Sequence, residues 1–191
     1  MAKAEKATTA GDVHVALLRG INVGGKNKLP MARLASIFAQ VGCKDVRTYI
    51  QSGNVVYRAT RPLSRRVAGL VSSAIADELG LTVPVLTRSA RELRDVIAAN
   101  PFPGGEDALH VVFLSSAPDA KAAASLDPQR SPPDRFVVSG REVYLHCPDG
   151  LGKTRLTGAY LEARLGVTTT ARNWRTVLAL AELAGPGARI A

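Results

Sequence analysis

Cysteine is scarce: Cys43 and Cys147 are the only two in 191 residues, too few for a disulfide scaffold or a four-cysteine zinc site. The three histidines, His14, His110 and His146, are widely scattered, and no His-x-x-x-His or Cys-x-x-Cys spacing supports zinc. Cys43 follows a helix stop and Cys147 ends a strand, and no thiol nucleophile is expected of either. Acidic residues do not pair on a loop as glycosidase or two-metal chemistry would need. No cofactor is therefore expected. No apolar run approaches the ~18–20 residues of a membrane span. Met1 to Asp12 carry charge without an apolar centre and read as a disordered N-terminus, neither secretory signal nor anchor. The residues are 46 % hydrophobic and 21 % charged, which excludes wholesale disorder. A soluble, cytoplasmic, basic protein of α/β type remains.

The net charge of +9 is unevenly spread. Residues 1–90 hold 13 Lys and Arg against 5 Asp and Glu, a surplus of +8. Residues 91–149 hold 6 against 9, and residues 150–191 hold 6 against 2. Use of Arg over Lys (18 to 7) fits a GC-rich genome, but that does not explain the asymmetry. The pattern suggests that the first and last segments share a face, with the middle turned elsewhere.

Hydrophobic periodicity predicts a strand over 13–18, then a Gly- and Asn-rich loop over 19–28. Met31, Leu34, Phe38 and Val41 recur at helical spacing behind Pro30, with Gly42 as the stop. Strands at 46–51 and 55–57 flank the turn Ser52-Gly53-Asn54. A helix from Pro62 to Leu79 stops at Gly80, and 83–87 is a fourth strand. The order β-α-β-β-α-β is the ferredoxin-like arrangement. A second round follows: helix 89–99, strand 110–114, helix 119–125, hairpin strands 136–138 and 143–146, helix 155–165 and helix 174–184. Ser-Gly-x-x-Val-Tyr occurs at Ser52 to Tyr57 and again at Ser139 to Tyr144, which favours two similar subdomains over one doubly wound sheet. The expected fold class is α+β. A ferredoxin-like subdomain spans 13–88, and a second, smaller ferredoxin-like αβ subdomain with C-terminal helices lies within 89–191.

Three stretches carry a family resemblance: the loop Arg19 to Asn27 (RGINVGGKN), the hairpin Tyr49 to Asn54 (YIQSGN) and Thr170 to Trp174 (TARNW). Together they resemble the bacterial domain-of-unknown-function family 1697, from about Val13 to about Leu183. The resemblance implies a ferredoxin-like αβ fold with a second αβ part, and no established activity.

Gly20 to Asn27 reads G-x-x-x-x-G-K-N, one residue from a Walker A loop. Its last position is an amide rather than the hydroxyl that holds Mg²⁺, and no strand ending in Asp follows as partner. Cys147 to Thr154 is a weaker near miss, lacking the first Gly. The anion-binding physics survives without the label. A Gly-rich turn can bare successive N–H groups beside a helix start, where each contact is worth ~0.3–1 kcal/mol and up to ~2 when partly buried. Arg19, Lys26 and Lys28 add charge-assisted bonds. Set against this, the glycines can simply permit positive φ, with the asparagines bonding their own backbone. Yet three glycines and two cations within the nine residues from Arg19 to Asn27 exceed what a turn requires.

Gln51, Ser52 and Asn54 can read a ligand by hydrogen bonds but cannot deprotonate one. Asn173 is an expected N-cap, Trp174 a core residue, and Arg172 lies just ahead of a helix start, better placed for an anion than for the core. Lys153 and Arg155 flank a further helix start. Three basic helix beginnings thus form the expected constellation. Gly24, Gly25 and Lys26 would hold a phosphate-bearing or other anionic small molecule, oriented by Asn22, Asn27 and Arg172. The alternatives are a module for RNA or single-stranded DNA, with Tyr49 and Tyr57 as strand aromatics though the aromatic content is only 5 %, or a non-catalytic interaction protein.

Overall fold

The computed structural model describes residues 11–25 and 27–185. The chain is mixed α+β, with two four-stranded antiparallel sheets. The first half runs β1 (Asp12–Leu18), α1 (Met31–Gln40), β2 (Lys44–Tyr49), β3 (Asn54–Ala59), α2 (Arg61–Ser64), α3 (Val67–Leu79), β4 (Val85–Ser89) and α4 (Ala90–Ala98). The second runs β5 (Leu109–Leu114), α5 (Ala120–Ala124), β6 (Arg135–Ser139), β7 (Glu142–His146), α6 (Gly158–Leu165), β8 (Thr169–Asn173) and α7 (Trp174–Leu183). The sheet orders are β2-β3-β1-β4 and β6-β7-β5-β8.

Local chemistry accounts for most boundaries. Ser89 and Glu92 form a reciprocal capping box on α4, and Asp119, Thr157 and Asn173 accept the third-residue N–H at the starts of α5, α6 and α7. Gly80 and Gly166 end α3 and α6 at φ +65° and +67°, the left-handed cap that only Gly adopts without strain. Four sequence expectations need correction. The helix over 62–79 is broken into α2 and α3 between Ser64 and Val67. The helix expected from Arg155 starts at Gly158 because Thr157, not an upstream residue, supplies the cap. Thr169–Asn173, given no element in the sequence reading beyond preceding a helix, is an edge strand paired only to β5, where the β-branched threonines fit a pleated surface. Asp12, assigned to a disordered N-terminus, pairs with Ala59 as the first residue of β1. Residues 1–10 lie outside the described residues.

Alternation sorts each strand's side chains to two faces. Val15 and Leu17 of β1, and Leu109, Val111 and Phe113 of β5, join Leu93 and Val96 of α4 and Trp174, Val177 and Leu180 of α7 in one inner cluster. Ala16 and Leu18 face outward to Leu34, Ile37 and Phe38 of α1 and Val71 and Ile75 of α3. Val112, Leu114, Val143 and Leu145 face outward to Leu161 and Leu165 of α6. Burying such side chains contributes ~1.5–3 kcal/mol each.

The registers superimpose as well as the orders. Val15 lies between Val56 and Arg88 in the first sheet, as Val111 lies between Tyr144 and Arg172 in the second. In this register Tyr57 corresponds to Leu145, not to Tyr144. The repeated Ser-Gly-x-x-Val-Tyr string is therefore one residue out of structural register, and its two tyrosines face opposite sides: Tyr57 the outer core, Tyr144 the inner one. The hairpin turns differ in length. Tyr49 pairs with Asn54 across residues 50–53, and Ser139 pairs with Glu142 across residues 140–141.

Candidate functional site

Between the halves opens a cleft of about 490 Å³. The first segment lines it with Leu18, Arg19, Gly20, Ile21 and Val23, and the β2–β3 turn with Ile50 and Ser52. The last segment contributes Leu151, Thr154, Leu156, Thr157, Gly158 and Thr169 to Asn173, with Thr176, while the middle of the chain adds only Val112 and Leu145. The helices over the second sheet are shorter than their counterparts (five residues in α5 against ten in α1, eight in α6 against thirteen in α3). Val112, Leu145 and Ala171 of that outer face line the cleft.

Arg172 is the buried cation of this wall, 8 % exposed. Its side chain leaves β8 on the inner face and crosses to the other half. It donates from Nε to Asn54 Oδ1, from Nη1 to Thr170 Oγ1 (2.8 Å) and Ala171 O (2.8 Å), and from Nη2 to Leu18 O (2.8 Å), Ser52 O (3.1 Å) and Gly53 O (3.2 Å). Its N–H groups are thus engaged by the protein. Burial pulls the guanidinium down to about 10, so it is charged at neutral pH, and among the described residues no carboxylate pairs with it. Gly53 permits this closeness. A Cβ there would stand 2.8 Å from Leu18 Cβ and 2.9 Å from Ile21, at a φ of +74°.

Arg88, at the matching position of β4, makes the reciprocal crossing. It reaches the end of β5 and the β6–β7 turn, donating to Leu114 O (2.9 Å), Arg141 O (2.9 Å), Thr87 O (2.9 Å) and, from Nε, Glu142 Oε1 (2.8 Å). Its guanidinium also lies 5.4 Å from the Phe113 ring. Burial lowers its pKa while Glu142 pushes it back up. Glu142 and Asn54 occupy the same place in the two hairpins. The halves are cross-bolted by two equivalent arginines, one with an anionic partner and one with a neutral amide.

The Gly-rich loop, the Ser-Gly-Asn hairpin and the Arg172 segment therefore meet in space. Of the residues expected at a site, Arg19, Ser52, Arg172 and Asn173 line the cleft. Asn22 and Asn54 stand behind the wall: Asn22 bridges Leu29 O and Gln51 O (2.9 Å each) and takes the Leu29 N–H, while Asn54 also donates to Tyr49 O and Ser52 Oγ. Asn27 donates to Gly20 O (3.0 Å), so both loop asparagines bond their own chain. Gly24, Gly25 and Asn27 are exposed and off the cleft, as are Gln51, Lys153 and Arg155. Lys26 lies outside the described residues. Two placements correct the sequence reading. Arg172 belongs to the buried core, because β8 turns it inward one residue before the helix cap. Lys153 and Arg155 precede the α6 cap instead of flanking it. Arg19 pairs with Glu162, which also accepts from Thr169 N, so its charge is compensated.

The sequence reading missed the threonines and aliphatics of the wall. The run Thr168-Thr169-Thr170 was the available signal, as a β-branched stretch next to the Arg172 motif. Cys43 and Cys147 are buried with thiols pushed up to about 11, held protonated and away from nucleophilic work. Among the described residues, no group of three His, Cys, Asp or Glu side chains could hold a metal ion. Nor is any described helix long and apolar enough to cross a membrane.

Fold and site together define an α+β protein of two cross-bolted antiparallel sheets, with a cation set in the wall of the cleft between them. The chain belongs to the family described as protein of unknown function, DUF1697, whose model matches residues 12–144. The Thr170 to Trp174 stretch lies beyond that span. A similar solved structure is that of the conserved bacterial protein SP0830 from Streptococcus pneumoniae. It is 20 % identical with a TM-score of 0.69, over 91 % of this chain and 99 % of that one, which speaks to the fold. No curated protein matches the sequence.

Proposed function

We propose that the protein binds a small molecule bearing one phosphate or carboxylate group in the cleft between its halves. One observation carries this: of two equivalent buried arginines, Arg88 is matched by Glu142, while Arg172, on the cleft wall, faces the amide of Asn54. A buried charge without a counter-charge is unfavourable unless something supplies one. Among the described residues no Asp or Glu lines the cleft, and Glu162, which reaches Arg19 and Thr169 of the wall, is neutralised by Arg19. The starts of α6 and α7, at Thr157–Gly158 and Asn173–Thr176, stand on the same wall and add favourable dipoles. With its own donors engaged, Arg172 supplies charge, and the threonine hydroxyls supply hydrogen bonds to the ligand. We read each half as a ferredoxin-like βαββαβ unit, supported by a first strand flanked by the third and fourth in both sheets.

A nucleic-acid platform is the weaker reading. Tyr57 is fully buried and Tyr49 packs against the inner cluster, leaving neither open to stack on a base. The test is calorimetric titration and thermal unfolding with inorganic phosphate and with small phosphorylated or carboxylated compounds. At a ligand excess of 100 Kd the stabilisation is ~2.7 kcal/mol, about 5–10 °C for a chain of this size. Asn54→Asp installs beside Arg172 the carboxylate that Glu142 provides in the other half. It abolishes that shift, while also giving up the amide's bonds to Tyr49 O and Ser52 Oγ, and Glu142→Gln leaves anion binding intact. A wild-type protein indifferent to every anion, or an Asn54→Asp protein that binds like wild type, sinks the reading.

A further inference from the structure

Among the described residues, the large aliphatic side chains left exposed are Val23, Ile50, Leu79, Val137 and Leu178. Two of them, Val23 at 64 % and Ile50 at 52 %, stand on the cleft wall, on separate loops. Ile50 holds a φ of +48°, a conformation costing a β-branched residue ~1–3 kcal/mol that Asn or Gly would adopt more easily. An isoleucine kept in a strained turn, with its side chain exposed at a cleft, is better explained by contact with a ligand than by the turn. Ile21, Leu151 and Leu156 continue the aliphatic surface around the cleft. No aromatic ring lines the cleft among the described residues, so a planar base would have nothing to stack on. A hydrocarbon chain, in contrast, finds dispersion contacts throughout. The volume of about 490 Å³ falls within the ~300–1,000 Å³ of sites that take a single small molecule.

We propose, resting on the anion reading above, that the ligand is an aliphatic anion, a body of several methylenes ending in one carboxylate or phosphate. The charge of Arg172 attracts the head, and the side chains of Val23 and Ile50 grip the body. The test titrates the full chain with straight-chain carboxylates of two to ten carbons, with alkyl phosphates of the same lengths, and with inorganic phosphate and a nucleoside monophosphate. The expected affinity rises about three- to fourfold per added methylene, the equivalent of ~0.8 kcal/mol, until the cleft is filled. The two alkyl series differ by a constant factor that names the preferred head group. Val23→Ser with Ile50→Ser, both at exposed positions, flattens this rise while leaving the affinity for the shortest anions unchanged, and Asn54→Asp removes binding at every length. Affinity independent of chain length, with phosphate still bound, overturns the aliphatic class and spares the anion reading. Binding of long chains that survives Asn54→Asp also overturns it, because the head would then be held elsewhere. Absence of binding by every anion, short or long, overturns both.

Discussion

Counting hydrogen bonds ranks Arg172, with six, above Arg88, with four. Electrostatics reverses that ranking. Replacing Arg172 by Met strands two buried acceptors, Asn54 Oδ1 and Thr170 Oγ1; Gly53 O keeps the Leu18 N–H and Leu18 O keeps the Thr170 hydroxyl. Each unsatisfied group costs ~1–3 kcal/mol, and water entering from the cleft keeps each near the lower end, so the loss is about 2–3 kcal/mol. Met also removes a charge whose desolvation is uncompensated. A guanidinium pulled down to about 10 corresponds to roughly 3 kcal/mol of relief. The two effects nearly cancel, so Arg172→Met changes stability by about 1 kcal/mol at most, or ~2–4 °C in Tm. Arg88→Met brings less relief, since Glu142 offsets part of the burial penalty, and it leaves that carboxylate half-buried and alone at a cost of about 3–5 kcal/mol. Chemical denaturation of both variants in low-salt buffer without added anions decides the matter. Arg88→Met is expected to be the less stable, and Arg88→Met with Glu142→Gln to recover part of the loss. Should Arg172→Met prove the more damaging, the hydrogen bonds outweigh the charge, and the uncompensated cation loses its standing as the origin of the site.

Burial holds His14 and His110 below their ordinary 6.5. The unfolded chain therefore binds protons first: their contribution is intact above pH 6.5 and is lost as the pH falls from there through the folded values. Tm is expected to drop from pH 7 to 5, and His14→Gln with His110→Gln to flatten that slope. Equal slopes in the double variant and the wild type would show that other groups govern it. Ile50→Asn relieves the left-handed strain and raises stability by about 1 kcal/mol, seen as a Tm gain of ~2–4 °C. An unchanged or lowered Tm would mean that the turn carries no strain at that residue.

Much of this protein is determined by short-range chemistry. Short apolar runs mark β1, β3, β5 and β7. A 3.6-residue period with Ser89, Asp119 or Asn173 ahead of it marks helices, and Gly80 marks a helix end, because caps and periodicities act within four residues. The basic first and last segments already hinted at a shared wall. Tertiary structure decided the rest. β8 has almost no apolar alternation of its own and exists because β5 offers an unpaired edge. Its register turns Arg172 into the core, where Leu18, Ser52, Gly53 and Asn54, four of its partners, lie more than a hundred residues away in sequence. The repeated Ser-Gly string could not reveal that one hairpin turn is two residues longer than the other, a difference that shifts register and exchanges the faces of the two tyrosines. Whether a buried guanidinium meets Glu142 or Asn54 depends on contacts across the two sheets, and from that choice follows the charge of the cleft.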